Sequence, residues 1–299
     1  MGRANAGKTT ILQRVCNATD QPEIFNGEGQ KACVDNHALT VDCIQRGYHD
    51  IEDELVFRSN PRFVFHDSCG FEAGSEEQFA MMKKFVMDHA RTPKLNKRIH
   101  AIWFCIPLTD IHRMVTAAET KFFEECDTGH VPVVVLVTKA DALELEAIEQ
   151  LEDQGLTVDA TSVAALEKKI LDNNIAKLKG WLNKCKFAPQ DYLSFGGMHE
   201  ESGDCTSLLK CTTNALTEEG LQELLISTQQ TNLGLCIEFA ILQTLKVNMK
   251  MGWMNPAGLA FELSKWFPFK VCEMEYLVGL NSCSMLLLPC CWPKLDSIK

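Results

Sequence analysis

Gly2-Arg3-Ala4-Asn5-Ala6-Gly7-Lys8-Thr9 fits the pattern G-x-x-x-x-G-K-[ST] and runs straight into the helical spacing Ile11, Leu12, Val15. Glycines at the two fixed positions let the backbone curl so that its N–H groups point inward, at phosphate oxygens. The helix that starts near Lys8 adds the positive end of its dipole. In this pattern Lys8 reaches the β- and γ-phosphates, and the Thr9 hydroxyl ligates Mg²⁺. Asn5, Ala6, Gly7, Lys8, Thr9 and Thr10 are the residues expected to hold the phosphates. A chance Gly-Lys-Thr turn would rarely match four fixed positions and then lead into an amphipathic helix. Such a loop follows a buried strand, yet only Met1 precedes Gly2. The first strand is therefore expected to be missing. A start site placed too late is the simplest reading, and a strand supplied by another segment or chain is the alternative.

Further along, short apolar runs alternate with helical patterns. Phe63-Val64-Phe65 ends at His66-Asp67, the run at 99–106 ends at Pro107, and the β-branched run at 131–137 ends at Thr138. Tyr192-Leu193-Ser194-Phe195 reads as a fourth strand. Between them lie Phe79, Met82, Phe85 and Val86; then Ile111, Met114, Val115, Ala118 and Phe122; then Leu166, Ile170, Leu178 and Trp181. Continuous apolar strands separated by amphipathic helices indicate an α/β fold with a doubly wound, mostly parallel sheet covered on both faces. Ligands of such sheets bind at the carboxyl ends of the strands. The polar residues expected there are Asp67, Thr138-Lys139, and Asn214 with its neighbours.

Asp67-Ser68-Cys69-Gly70 has the form D-x-x-G. After a strand it puts a carboxylate near Mg²⁺ and a glycine N–H within reach of a γ-phosphate. Thr138-Lys139-Ala140-Asp141 has the form T-K-x-D. A carboxylate accepts two hydrogen bonds from N1–H and the exocyclic amine of guanine, whereas adenine offers an acceptor at N1 and cannot make that pair. The Lys139 stem can lie over the base. Thr212-Thr213-Asn214-Ala215-Leu216 precedes the helix-like stretch 218–225 and looks like a divergent fifth motif, with Ala215 as the backbone donor to guanine O6.

Phosphate loop, D-x-x-G and T-K-x-D, in that order, resemble the translation-factor class of P-loop GTPases. The likeness is to its Era/TrmE-like branch, over about residues 2–230. It is nearest to proteins described only as containing a G domain. The resemblance implies GTP and GDP as ligands, Mg²⁺ as cofactor, and slow hydrolysis of GTP to GDP and phosphate by a molecular switch. It also implies a protein effector or activator of unidentified kind. Nucleotide contacts would extend to Asp67, Gly70, Thr138, Lys139, Asp141, Asn214 and Ala215. Thr9 and Asp67 would serve Mg²⁺, together with Thr40 as the switch I threonine. Lys8, Asn5 and Gly70 would carry catalysis. Many members orient the attacking water with a glutamine after D-x-x-G, and Phe71 holds that position here. Glu72 and His66 are the nearby substitutes. In the Era/TrmE-like branch an asparagine at the position of Asn5 is associated with K⁺ beside the phosphates, neutralising charge where an arginine finger otherwise acts. Phe71 also motivates a binding module that holds nucleotide without turnover. The absent strand motivates a truncated interaction scaffold. ATP is a further rival as ligand, against which Asp141 argues.

The 299 residues carry a net charge of −11, which sets the chain against general nucleic-acid binding. Fourteen cysteines show no C-x-x-C pair and no secretory signal opens the chain. A reducing, cytoplasmic setting with free, packed thiols is the expectation. No stretch reaches the roughly 20 apolar residues of a membrane span. The G domain is expected over 1–230, with an insertion at about 142–190 packed on the rim and presenting a solvated helix face. A helical extension follows over 231–299, where Leu233, Ile237, Ile241 and Leu245 share one face expected to pack on the G domain. Trp253, Trp266, Phe267, Phe269 and Trp292 add aromatic surface there, with peripheral membrane contact as the alternative.

Overall fold

The computed structural model describes residues 1–19, 21–31, 50–68, 70, 76–94, 97–109, 115–200, 203–216, 222 and 233–251. Thr40, Phe71, Glu72 and the aromatic residues from Trp253 onward lie outside the described residues. The chain divides into units Met1–Leu235 and Cys236–Lys299.

The first unit is α/β. Strands β4 (Ile102–Pro107), β5 (Val133–Thr138) and β6 (Asp191–Ser194) form a parallel sheet in that order. Ile102 pairs with Val133 and Pro107 with Thr138, while Val134 pairs with Asp191 and Val137 with Ser194. Every residue of β5 is buried, as the run Val-Val-Val-Leu-Val requires of a strand covered on both faces. On one face Ile102, Phe104, Ile106, Val133, Val135 and Val137 join a core supplied by four helices. These are α2 (Glu76–Ala90), α3 (Ala117–Glu125), α4 (Leu143–Asp153) and α5 (Ala160–Leu182). Phe104 lies 4.8 Å and 5.0 Å, centroid to centroid, from Phe122 and Phe123. On the other face Trp103 Nε1 donates to Thr212 Oγ1 at 3.0 Å, tying β4 to α6 (Thr206–Ala215).

Met1 and Gly2 run parallel to the free edge of β4. The Met1 nitrogen donates to Trp103 O and Cys105 N donates to Met1 O, both at 2.8 Å, and Gly2 bridges Cys105. A Cβ on Gly2 would stand 2.2 Å from the Cys105 oxygen, so only glycine fits this turn at φ 131°. The chain then curls and starts α1 (Lys8–Val15). This short pairing lies where the sequence reading looks for the strand before the phosphate loop.

The sheet is less uniformly parallel than the apolar runs suggest. Strands β1 (Glu23–Phe25), β2 (Glu54–Phe57) and β3 (Asn60–Phe65) form a second, antiparallel sheet. Only Arg58 and Ser59 separate β2 from β3, and so short a connection permits only antiparallel pairing. Leu12, Cys16 and Phe57 pack with Phe63, Phe65 and Trp103, so α1 is seated against β2, β3 and β4.

Three further expectations are corrected. Residues 142–190 are not a rim insertion but the crossover between β5 and β6. Leu143, Ala147, Leu151, Ile170, Leu178 and Leu182 from its helices belong to the main core. The helical spacing read from Ile111 to Phe122 is broken at Thr116, where Thr116 and Glu119 form a reciprocal capping box and α3 starts; Ile111 and Met114 lie outside the described residues. In α7 (Leu233–Met251) it is Leu235, Cys236, Phe239 and Ala240 that are buried, while Ile237, Ile241 and Leu245 are exposed. Apolar residues lie on both faces of that helix, so spacing alone could not choose between them. Among the described residues seven cysteines are free, and burial pushes the thiols of Cys126, Cys205 and Cys211 up to about 12.

Leu136→Ala tests the two-sided burial of β5. It is expected to destabilise the protein by about 2–5 kcal/mol in urea unfolding, and a loss under about 1 kcal/mol would contradict that burial.

Candidate functional site

The loop of residues 2–9, read from the sequence as a phosphate loop, is curled by residues in left-handed backbone. Asn5 (φ 57°) and Gly7 (φ 78°) follow Gly2, and Ala6 N donates to Arg3 O at 3.3 Å. Asparagine tolerates this conformation better than most residues, so Asn5 has a shaping role whatever else it does. Its side chain is exposed. Gly7 caps α1 with no side-chain acceptor, leaving the first-turn N–H groups without a side-chain partner at the cap. Lys8 Nζ donates to Arg3 O at 2.8 Å and Gly2 O at 3.3 Å. The ammonium is thus folded onto the loop's own carbonyls, which a phosphate oxygen would have to outcompete.

The loop is anchored from outside. Arg3 makes a two-point ion pair with Glu119, Nε to Oε1 and Nη2 to Oε2, each at 2.8 Å. The Glu119 side chain is 0% exposed and that of Arg3 12%. Glu119 Oε2 also accepts from Thr116 N at 2.7 Å, so one carboxylate caps α3 and holds the loop at Arg3. A buried two-point pair of this kind fixes geometry, and removing one member strands the other charge.

The D-x-x-G residues converge on the same loop. Asp67 lies two residues beyond the end of β3 and is only 4% exposed. It and Lys8 both act electrostatically on the Met1 nitrogen and the Cys105 thiol. Gly70 lies so close to the loop that a Cβ would stand 2.1 Å from Ala4 N. The Ser68 hydroxyl is buried and has no hydrogen-bond partner among the described residues, an oddity for a protein interior. The Asp67 carboxylate and the Ser68 and Thr9 hydroxyls are oxygens of the kind a hard cation takes, and among the described residues no cluster of three or more His, Cys, Asp or Glu side chains could hold a metal ion. His66 is differently employed. Its Nδ1 bonds Ile51 O at 3.0 Å, its ring lies 4.9 Å from Phe85, and burial lowers its pKa.

The T-K-x-D residues reach the loop from β5. Thr138 is buried and its hydroxyl donates to Ala6 O at 2.8 Å. Lys139 adopts left-handed backbone (φ 57°), and a single 3₁₀ turn, Ala140–Ala142, presents Asp141. Gly197 N donates to Asp141 Oδ1 at 2.9 Å, and Ala140 N donates to Phe195 O at 3.0 Å.

That last contact corrects the fifth motif. Asn214 and Ala215 follow no strand; they form the end of helix α6. The hydroxyls of Thr212 and Thr213 bond back to Leu208 O and Leu209 O within that helix. The segment lying against Asp141 is Phe195-Gly196-Gly197, which leaves β6, and a Cβ on Gly196 would stand 3.0 Å from Asp141 N. The signal for it was in the sequence: a Gly-Gly pair directly after an apolar strand. Two open hollows, one lined by Glu144, Asp159 and Glu167 and one by Val115, Trp181 and Cys185, include none of these motif residues.

Arg3→Ala is expected to cost about 3–5 kcal/mol of stability by chemical denaturation, because it leaves the Glu119 carboxylate buried and unpaired. A cost under about 1 kcal/mol would show that the pair does not anchor the loop. No protein-family model matches the chain, and no curated protein or solved structure matches it.

Proposed function

We propose that this chain binds guanine nucleotide with Mg²⁺ through a doubly wound G domain of the P-loop GTPase kind, and that it hydrolyses GTP slowly as a molecular switch. The observation that carries the reading is the convergence of three motifs on one loop. Gly70 abuts Ala4, Thr138 bonds Ala6, and Asp141 stands in the turn that follows Thr138. A chance G-x-x-x-x-G-K-T turn would have no reason to gather the other two motifs around it.

Each residue then has a task. The N–H groups at the start of α1 would face the phosphates, and Lys8 would leave the Arg3 and Gly2 carbonyls for β- and γ-phosphate oxygens. Thr9 and Asp67, with Thr40, would hold Mg²⁺, which supplies positive charge to bridge and neutralise the phosphate oxygens. The Asp141 carboxylate would accept from guanine N1–H and the 2-amino group, with Lys139 over the ring. Gly70 N–H would meet the γ-phosphate. The close fit of Gly70 on Ala4 keeps this backbone beside the loop, where only glycine can stand. Asn5, exposed at the crest of the loop, is placed to help hold K⁺ beside the phosphates.

Two experiments test the reading. Asp141→Asn replaces a carboxylate by an amide and is expected to shift preference from guanine to xanthine nucleotides; undiminished guanine affinity in that variant would refute the role of Asp141. Multiple-turnover phosphate release separates a GTPase from a module that binds without turnover. Faster release in K⁺ than in Na⁺ at equal ionic strength is expected from Asn5, and equal rates would remove K⁺ from the account.

A further inference from the structure

The loop that follows β6 is held from two sides. On its front, Gly197 N and Phe195 O bond the turn that carries Asp141. On its back stands Arg14, in the last turn of α1. Arg14 Nε donates to Met198 O at 3.0 Å, and Nη2 donates to His199 O at 3.2 Å and to Glu200 O. Three successive carbonyls thus converge on one guanidinium. An ordinary basic residue near a helix C-terminus interacts weakly with its own helix end. Arg14 instead reaches across to a segment more than 180 positions away in sequence.

We propose that Arg14 is a positioning residue for base selection, holding the Gly196-Gly197 turn against Asp141. The inference rests on the guanine-nucleotide reading and adds to it the element that sets the base-reading geometry. Two adjacent glycines, the second in left-handed backbone at φ 60°, make a segment with many alternative conformations. The planar, five-donor guanidinium is the side chain able to pin several carbonyls at once. Once the turn is pinned, Gly197 N–H fixes one oxygen of Asp141 and with it the orientation of the carboxylate. Without Arg14 the turn is free to swing, Asp141 loses its orienting donor, and discrimination between bases falls. The phosphate contacts come from residues 5–10 and do not involve this turn. Helix α1 therefore starts at the phosphates and ends at the clamp, so one rigid element serves as the reference for both ends of the nucleotide.

The test measures equilibrium binding of GDP, ADP and inorganic tripolyphosphate, with Mg²⁺, to the full chain and to Arg14→Ala, Arg14→Gln and Arg14→Lys. Arg14→Gln keeps a donor and most of the stem, so it serves if Arg14→Ala does not fold. The expected result is a drop of about tenfold in the preference for GDP over ADP, the equivalent of one oriented hydrogen bond, in Arg14→Ala and Arg14→Gln. Tripolyphosphate affinity should stay within about twofold, and Arg14→Lys should fall between these variants and the parent. An unchanged base preference in the folded variants would overturn the proposal. So would a parallel loss of tripolyphosphate affinity, which would make Arg14 a support of α1 alone. A parent chain without preference for GDP over ADP would overturn the guanine reading itself, and the Arg14 proposal with it.

Discussion

The rest of the molecule follows from one constraint: β5 is buried on both faces. A strand without a solvated side needs helices above and below it, and parallel neighbours reached by long crossovers. β4 and β6 flank it in parallel, the crossover at 142–190 supplies α4 and α5, and α6 ties back to β4 through Trp103. Parallel strands also end together. The segments leaving β4, β5 and β6 emerge at the same edge of the sheet, and polar residues that would be costly in the core gather there. Met1 and Gly2, running parallel to β4, deliver the loop of residues 2–9 to that edge.

At that edge the loop is held by contacts of different physical kinds. Steric fit acts at Gly2 and Gly70, where any side chain would collide with backbone. A neutral hydrogen bond from Thr138 fixes Ala6, and a buried ion pair fixes Arg3. These groups come from β5 and α3, so the loop takes its shape from the fold around it as well as from its own glycines. Around it, the first-turn N–H groups of α1 have no side-chain cap, the Lys8 ammonium is turned onto the loop's own carbonyls, and the buried Ser68 hydroxyl has no partner among the described residues. A ligand bearing several negative oxygens, with its cation, would answer all three.

Features of local conformation were readable without coordinates. The glycine-shaped curl before α1, the buried run before Thr138 and the amphipathic spacing of α2 each declare themselves within a dozen residues. What failed depended on partners distant in sequence. Thr212-Thr213-Asn214 reads as a loop because threonine and asparagine favour turns, but a threonine hydroxyl can also bond back within a helix, and here both threonines do so. The charged surface of α5 suggested a rim element, although its apolar stripe faces the same core as β5. The antiparallel pairing of β2 and β3 hung on the two residues between short strands. Arg14 and Arg3 gave no signal in the sequence at all, since each acts through a partner more than 100 positions away.

The central claim is that these gathered motifs form one site for a guanine nucleotide. Its most direct test is equilibrium binding of a fluorescent GTP analogue to residues 1–299 with Mg²⁺, with unlabelled GTP and ATP as competitors. The account predicts saturable binding that GTP displaces and ATP does not. Absence of binding, or displacement by ATP as readily as by GTP, would contradict it.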